Sequence, residues 1–92
     1  MPASASTVWS VYFLRCADGT LYAGATTDVD RRLIAHAKGR VKYTRGRLPV
    51  ELAYLETVGE RSAALSREAA LKRLRRAAKE QLLRRAVLIP RG

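Results

Sequence analysis

The feature that most constrains the fold of this chain is a pair of β-rich runs separated by the short segment Ala17-Asp18-Gly19. Residues 11–14 and 21–22 are β-branched, aromatic or leucine, and such runs on either side of an Asp-Gly pair predict a β-hairpin. The number of residues in the turn sets the register of the two strands. The register decides which side chains share a face, because side chains alternate along a strand.

Two registers are open for this hairpin. A two-residue Asp18-Gly19 turn would place Tyr12 and Tyr22 on opposite faces of the ribbon, where their hydroxyls could not act together. A three-residue loop with its glycine in the left-handed region places both tyrosines on one face. It also sets Tyr12 opposite Gly24, whose lack of a side chain leaves space for the aromatic ring. We favour the three-residue loop.

A helix is predicted over residues 28–38. Thr27 and Asp30 have the spacing of a capping box at its start, and Gly39 stands where a C-terminal cap belongs. The predicted buried stripe, with a spacing of four residues, consists of Val29, Leu33 and Ala37.

Later segments complete the predicted fold. Residues 38–47 hold five basic residues and no acidic one, which predicts a mobile cationic loop. A third strand is predicted at residues 50–57, and a second helical region reaches from about residue 60 to residue 85 as one helix or a helix pair. These segments predict an α+β fold class, with a hairpin, a helix, a third strand and one or two later helices. The predicted apolar stripe of the second helical region consists of Leu71, Leu74, Ala78 and Leu82.

Size and composition favour one folded domain, predicted at residues 9–86 between a flexible N-terminal tail at residues 1–8 and a C-terminal tail at residues 87–92. A chain of 92 residues can build a single modest core. One cysteine and one histidine exclude a disulfide scaffold and a zinc finger. Because we find neither a membrane-length apolar run nor a signal-peptide pattern, we expect a cytoplasmic protein with no membrane partner.

The net charge of +10 predicts a polyanionic partner, with nucleic acid first among the possibilities. A small body of this charge makes a field that attracts polyanions and accelerates their encounter. The competing interpretations are a protein that is soluble because it is cationic, and a basic protein that rides on ribosomal RNA.

Several polar side chains are candidates for chemistry. Arg32 and His36 are four residues apart and lie side by side on the predicted first helix. Glu68 borders the apolar stripe of the second helical region, where it can pair with Lys72 at i+4. It can also ligate a divalent cation, because hard cations prefer carboxylate oxygen and keep several waters. Taken singly, such residues are more often structural than catalytic.

Over residues 9–83 the ordered set of these residues resembles the GIY-YIG nuclease superfamily, in particular its small single-domain bacterial branch. The sequence departs from the family pattern at Ser10, Ala23 and Ala25, and it lacks the late asparagine of several relatives. The segments that carry the resemblance are Val11-Tyr12-Phe13, Tyr22-Ala23-Gly24, DVDRRLIAH at 28–36, KYTRGRLPVELAYLE at 42–56 and SREAALKRL at 66–74.

The resemblance implies a three-stranded antiparallel sheet flanked by helices, in the order β-β-α-β-α-α, which agrees with the elements predicted above. It also implies a metal-dependent endonuclease that hydrolyses phosphodiester bonds in DNA. By position, Glu68 would hold Mg²⁺ or Mn²⁺ and Arg32 would hold phosphate oxygens. Tyr12 or Tyr22 would orient the attacking water or take its proton, and His36 would relay that proton or position a tyrosine. A tyrosine base needs a nearby cation, because a free phenol has a pKa of about 10.

The basic loop and the basic rows of the later helices are expected to hold the nucleic-acid backbone without reading bases, which predicts weak sequence specificity. Tyr43 either stacks on an unpaired base or packs the loop down. We expect a role in repair or recombination, with a protein partner or a homodimer as open possibilities. The main alternative is a non-catalytic module that binds DNA or RNA, and a protein-interaction module is a third. The expected nucleic-acid contacts are Lys38, Arg40, Lys42, Tyr43, Arg45, Arg47, Lys72, Arg73 and Arg76.

Overall fold

The computed structural model of the chain describes residues 7–88. Its elements follow the predicted order, and the α+β fold class is confirmed. The predicted tails fall largely outside the described residues, so their extent stays a prediction. The strands are β1 (Trp9–Cys16), β2 (Leu21–Thr26) and β3 (Val50–Gly59), and the helices are α1 (Val29–Ala37), α2 (Arg61–Arg73) and α3 (Arg76–Leu88).

The three strands form one antiparallel sheet in the order β2-β1-β3. Its register confirms the three-residue hairpin loop, because Tyr12 lies opposite Gly24 and Leu14 lies opposite Tyr22. Gly19 has a φ of 88°, the left-handed conformation that the loop requires at this position and that glycine adopts without steric cost. The two tyrosines therefore share a face of the sheet.

The hydrophobic core lies on the other face. Phe13 of the central strand is fully buried there, and α2 and α3 cover it with Leu71 and Leu83. Burying a large apolar side chain contributes roughly 1.5–3 kcal/mol, so this layer is the main source of stability. Leu83 was missing from the predicted helical stripe. The buried members of the cluster are Val11, Phe13, Leu21, Ala23, Ala64, Leu71 and Leu83.

Helix α1 begins at Val29, one residue later than predicted. Asp28, not Thr27, is the N-cap, since its carboxylate accepts a hydrogen bond from the backbone N–H of Arg31 at 3.0 Å. Gly39, with a φ of 74°, follows the C-cap residue Lys38 as predicted.

The predicted stripe of α1 is wrong in one respect. Ala37 is exposed, and Val29 and Leu33 are only half-buried, whereas His36 is fully buried. A polar side chain is tolerated there because the loop after α1 provides it with a hydrogen-bonding partner, Thr44.

That loop is folded against the domain rather than open. Val41 and Thr44 are buried, and the backbone N–H groups of Arg45 and Arg47 donate to the carbonyls of Val41 and Thr44 at 2.9 and 2.8 Å. Residues 38–47 thus form a series of hydrogen-bonded turns, and the mobile loop predicted from composition is not what the structure contains. The buried side chains of Val41 and Thr44 anchor this segment, whose composition alone is that of a charged surface loop.

The second helical region is a helix pair. Leu74 ends α2 with an extended backbone, at a ψ of 145°, and α3 starts two residues later. Glu80 of α3 accepts two hydrogen bonds from the Arg15 guanidinium of β1 at 2.7 and 2.8 Å. Arg76 donates to Glu80 and to the carbonyl of Gly19 in the hairpin loop. These contacts tie α3 to the hairpin. No helix in residues 7–88 is long and apolar enough to cross a membrane.

Candidate active site

Tyr12 and Tyr22 form the floor of a polar cluster on the face of the sheet opposite the core. Tyr12 is 2% exposed and Tyr22 is half-buried. The Tyr12 ring lies directly over Gly24, where an added Cβ would meet the hydroxyl and would lie 2.5 Å from Cζ. Only glycine leaves room for the ring, so the close approach explains the residue at this position.

His36 reaches this cluster from α1. Its Nε2 lies 3.3 Å from the Tyr12 hydroxyl, and its ring contacts both tyrosines edge-on, with centroid distances of 6.2 Å to Tyr12 and 5.3 Å to Tyr22. Its Nδ1 lies 2.7 Å from Oγ1 of Thr44. Sequence reasoning missed Thr44, because a threonine within a basic loop carries no periodicity that marks it as buried.

Arg32, one turn before His36, provides the positive charge of the cluster. The Tyr12 hydroxyl raises the pKa of the Arg32 guanidinium, and Tyr22 adds to the rise. Burial raises the pKa of Tyr12, although the neighbouring Arg32 opposes this effect. Burial also lowers the pKa of His36, and Arg32 lowers it further. At neutral pH the cluster therefore holds a protonated phenol beside a neutral imidazole.

Glu68 lies at the edge of the cluster on α2. Its charge adds to the rise in the pKa of Tyr12 that burial begins, which puts the carboxylate within electrostatic range of the phenol. Its side chain is 18% exposed and forms an ion pair with Lys72 at 3.1 Å. The structure thus contains the i+4 partner that the structural interpretation requires, and it also places the carboxylate within electrostatic range of Tyr12, as the catalytic interpretation requires.

A divalent metal ion fits this edge only with help from substrate. Within residues 7–88, His, Cys, Asp and Glu side chains form no group of three or more that could hold a metal ion. Glu68 is the carboxylate beside the tyrosines, and Mg²⁺ is often held by one or two carboxylates plus waters and substrate phosphate. The donor set is compatible with such an ion, and Lys72 must give up its contact when the ion binds.

Three of the nine expected nucleic-acid contacts are engaged within the domain. Arg47 donates to the Asp18 carboxylate at 3.1 Å and to a backbone carbonyl at 2.7 Å. Lys72 pairs with Glu68, and Arg76 bonds to Glu80. Lys72 and Arg76 are nevertheless exposed. The other exposed basic side chains among the predicted contacts are Lys38, Arg40, Lys42, Arg45 and Arg73.

Tyr43 connects the loop to the cluster. Its ring is tilted by 32° against Tyr22 at a centroid distance of 5.2 Å, and the guanidinium carbon of Arg47 lies 4.2 Å from its centroid. The side chain is still 43% exposed. Tyr43 therefore packs the loop down on Tyr22 and keeps an exposed edge.

Comparison with known proteins gives a consistent result. The family model described as the GIY-YIG catalytic domain matches residues 8–81. A UPF0213 protein of Natronomonas pharaonis is 54% identical over 74 residues, covering 79% of this chain and 87% of the relative. A UPF0213 protein of Desulfotalea psychrophila is 46% identical over 86 residues, covering 90% and 77%.

Two solution NMR structures are similar to this one. The UPF0213 protein BH0048 from Bacillus halodurans has a TM-score of 0.55 and 45% identity, covering 83% of this chain and 82% of that chain. The protein EF2693 from E. faecalis has a TM-score of 0.62 and 40% identity, covering 92% of each chain. Residues 8–81, which the family model matches, include every residue of the cluster on the tyrosine face. The chain belongs to the GIY-YIG family, within its small single-domain UPF0213 group.

Proposed function

We propose that this protein is a metal-dependent endonuclease that hydrolyses phosphodiester bonds in DNA with weak sequence specificity. The observation that supports it best is the convergence of two phenols, a guanidinium and an imidazole in one cluster, with the Glu68 carboxylate at its edge. The family match supports a nuclease fold in general. The cytoplasmic location, the role in repair or recombination, and a recruiting partner or homodimer stay predictions.

Hydrolysis of a phosphodiester needs a deprotonated water and a sink for the growing negative charge. Arg32 supplies the sink among the protein's own groups, because its planar guanidinium can contact two phosphate oxygens at once. Mg²⁺ or Mn²⁺ held by Glu68 would add positive charge at the phosphate and assist the leaving oxygen. The net effect is a site that binds the reacting phosphate between a guanidinium and a carboxylate-bound cation.

Tyr12 is the tyrosine equipped to move a proton. Its hydroxyl lies beside His36 Nε2, and burial keeps the imidazole neutral, so the ring can accept a proton that the phenol gives up. In our proposal the Tyr12 oxygen accepts a proton from the attacking water as its own proton passes to His36. Tyr22 lies beside both rings and orients the water.

Cleavage of single-stranded, nicked and branched DNA by the purified protein with Mg²⁺ or Mn²⁺ tests the proposal. We expect cleavage that EDTA abolishes, and losses of at least about 100-fold in Glu68→Gln and Arg32→Ala, of the size seen when a charge-stabilising group is removed. Glu60→Gln is the matched control, since this exposed glutamate precedes α2 and its side chain makes no cap hydrogen bond. Cleavage that survives both site variants would contradict the proposal.

A second candidate function is a non-catalytic binder of nucleic acid, and the Glu68–Lys72 ion pair favours it. On this hypothesis the exposed basic loop carries the activity, and Glu68 only holds a lysine in place. Binding would then weaken steeply with salt and would be the same in Glu68→Gln as in the natural protein. An absence of any salt dependence would remove both hypotheses and favour a protein-interaction module.

A further inference from the structure

A chain of buried polar groups runs from Tyr12 into the loop after α1. Tyr12, His36 and Thr44 are 2%, 0% and 0% exposed. Thr44 Oγ1 lies 2.7 Å from His36 Nδ1 and 3.5 Å from the backbone carbonyl of Val41. His36 Nε2 continues the chain to the Tyr12 hydroxyl. Every buried side-chain nitrogen and oxygen in the described residues has a partner.

The direction of the protons along this chain follows from the partners available. In one arrangement the Thr44 hydroxyl donates to the Val41 carbonyl and accepts from His36 Nδ1–H. His36 Nε2 is then free to accept the Tyr12 hydroxyl proton, so each of the three protons has an acceptor. In the reverse arrangement the Thr44 hydroxyl donates to His36 Nδ1 and His36 Nε2–H donates to Tyr12, so the imidazole no longer accepts the phenol proton, and the neighbouring Arg32, which can only donate, cannot take its place.

We propose that Thr44 is a positioning residue that holds His36 in the Nδ1–H tautomer, so that Nε2 stays available to accept the proton of Tyr12. The tautomer preference stands on the hydrogen-bond geometry alone, and its catalytic consequence rests on the proposed function. The sequence analysis named His36 as a relay or as a support for a tyrosine. Thr44 makes the relay role possible by fixing which ring nitrogen is the acceptor.

The proton step balances on these residues. An O–H bond of the attacking water breaks and its proton forms an O–H bond on Tyr12, while the original phenol proton forms an N–H bond on His36 Nε2. The products are a hydroxide, a neutral Tyr12 and an imidazolium. The Thr44 oxygen still accepts from Nδ1–H of that imidazolium and stabilises it by a charge-assisted hydrogen bond.

The chain contains a single histidine, so imidazole ¹⁵N–¹H correlation spectra report the tautomer of His36 without assignment ambiguity. At neutral pH we expect the Nδ1–H form in the natural protein and in Thr44→Ser, which keeps the hydroxyl. In Thr44→Val, which replaces the hydroxyl by a methyl of similar shape, the Nδ1–H form should lose its preference. Thr57→Val is the matched control, because Thr57 is exposed on β3, and its spectrum should be unchanged.

Cleavage kinetics provide the second readout. Thr44→Val should lower kcat about tenfold with KM for DNA changed less than twofold, Thr44→Ser should restore most of kcat, and Thr57→Val should equal the natural protein. Amide spectra establish that each variant is folded. An Nε2–H tautomer in the natural protein, or an unchanged tautomer in folded Thr44→Val, overturns the proposal even if the protein cleaves DNA. The expected tautomers in a protein that cleaves nothing would support the positioning of His36 and remove the nuclease function instead.

Discussion

The two sides of the site are built differently. On one side, Tyr12, His36 and Thr44 form a buried chain with every polar atom paired. On the other, Glu68 shares an ion pair with Lys72, whose side chain is 55% exposed. Buried hydrogen bonds in a low dielectric are strong and costly to break, whereas an exposed i+4 ion pair contributes only about 0.3–0.5 kcal/mol.

The contrast separates two tasks. The buried side is preorganised, so it can hold a proton pathway in a single geometry before substrate arrives. The exposed side is held weakly, so a metal ion or a DNA phosphate can displace Lys72 from Glu68 at little cost. Lys72 places positive charge at this edge in the free protein, and under the proposed function substrate binding would rearrange it.

Tyr12→Phe breaks the buried side and should have the largest effect. Cleavage should fall about 10²- to 10⁴-fold, the usual range for loss of a general acid or base. The free energy of unfolding should drop by about 1–3 kcal/mol, because the buried Nε2 of His36 loses its partner and Arg32 loses its bond to the hydroxyl. Gel-based cleavage rates and urea unfolding measure the two quantities. Tyr54→Phe is the matched control, since its hydroxyl bonds to Glu56 outside the site, and cleavage near the natural rate is expected of it.

Gly24→Ala disturbs the same side through sterics. The added methyl would overlap the Tyr12 ring, so the free energy of unfolding should fall by about 1–3 kcal/mol, and cleavage should fall with it as the ring is displaced. Gly46→Ala provides the comparison, because an added Cβ there meets nothing within 4 Å. Equal stability of the two variants in urea would show that the Tyr12 ring does not require a glycine at position 24.

Acidification should weaken the buried side before it affects the ion pair between Arg15 and Glu80. An unfolded imidazole has a pKa of about 6.5, and burial lowers that of folded His36. Between the two values the unfolded chain binds more protons, so the free energy of unfolding falls as the pH drops, by at most about 1.4 kcal/mol per pH unit. Urea unfolding at pH 7.5 and 5.5 measures the change.

His36→Gln has no imidazole and should lose this pH dependence, and an identical slope in that variant would assign the slope to other groups. Hydrogen bonds from Arg15 lower the pKa of Glu80 to about 2, so that carboxylate keeps its charge throughout this window. The Arg15–Glu80 ion pair, which ties α3 to the hairpin, therefore stays intact while the buried side weakens.

Lys72→Ala tests the exposed side and should have the smallest effect. The free energy of unfolding should change by no more than about 0.5 kcal/mol. Removing the ammonium group should let a cation bind Glu68 more easily, and the Mg²⁺ concentration for half-maximal cleavage should fall about twofold, the equivalent of an ion-pair energy of about 0.3–0.5 kcal/mol. A loss of cleavage as deep as that of Glu68→Gln would mean that the glutamate serves only to hold the lysine.

The hairpin and its consequences could be predicted from sequence because they rest on local rules. The Asp-Gly pair locates the hairpin and limits it to two registers, and the structure confirms the favoured one, which sets Tyr12 opposite Gly24. The order of the hairpin, the first helix, the third strand and the later helical region follows from composition and periodicity in the same way, whereas both leave the break between α2 and α3 open. These features need no knowledge of what packs against them.

The interior of the site could not be predicted in this way, because it depends on contacts between distant segments. Periodicity assigned Ala37 to the buried stripe of α1, and the structure buries His36 because Thr44 from the next loop pairs with it. Charge density likewise assigned Arg47 and Arg76 to nucleic acid, whereas both guanidiniums bond to the hairpin loop. The residues next to a side chain in the sequence do not indicate which distant residue it contacts in the fold.

Tyr12 lies on β1, the strand that is paired on both edges. A strand in that position is held by two ladders, so its amide hydrogens should exchange only through global unfolding, while the outer strands and helix ends exchange through smaller openings. Thermal motions that fray the rest of the domain therefore leave the phenol oriented.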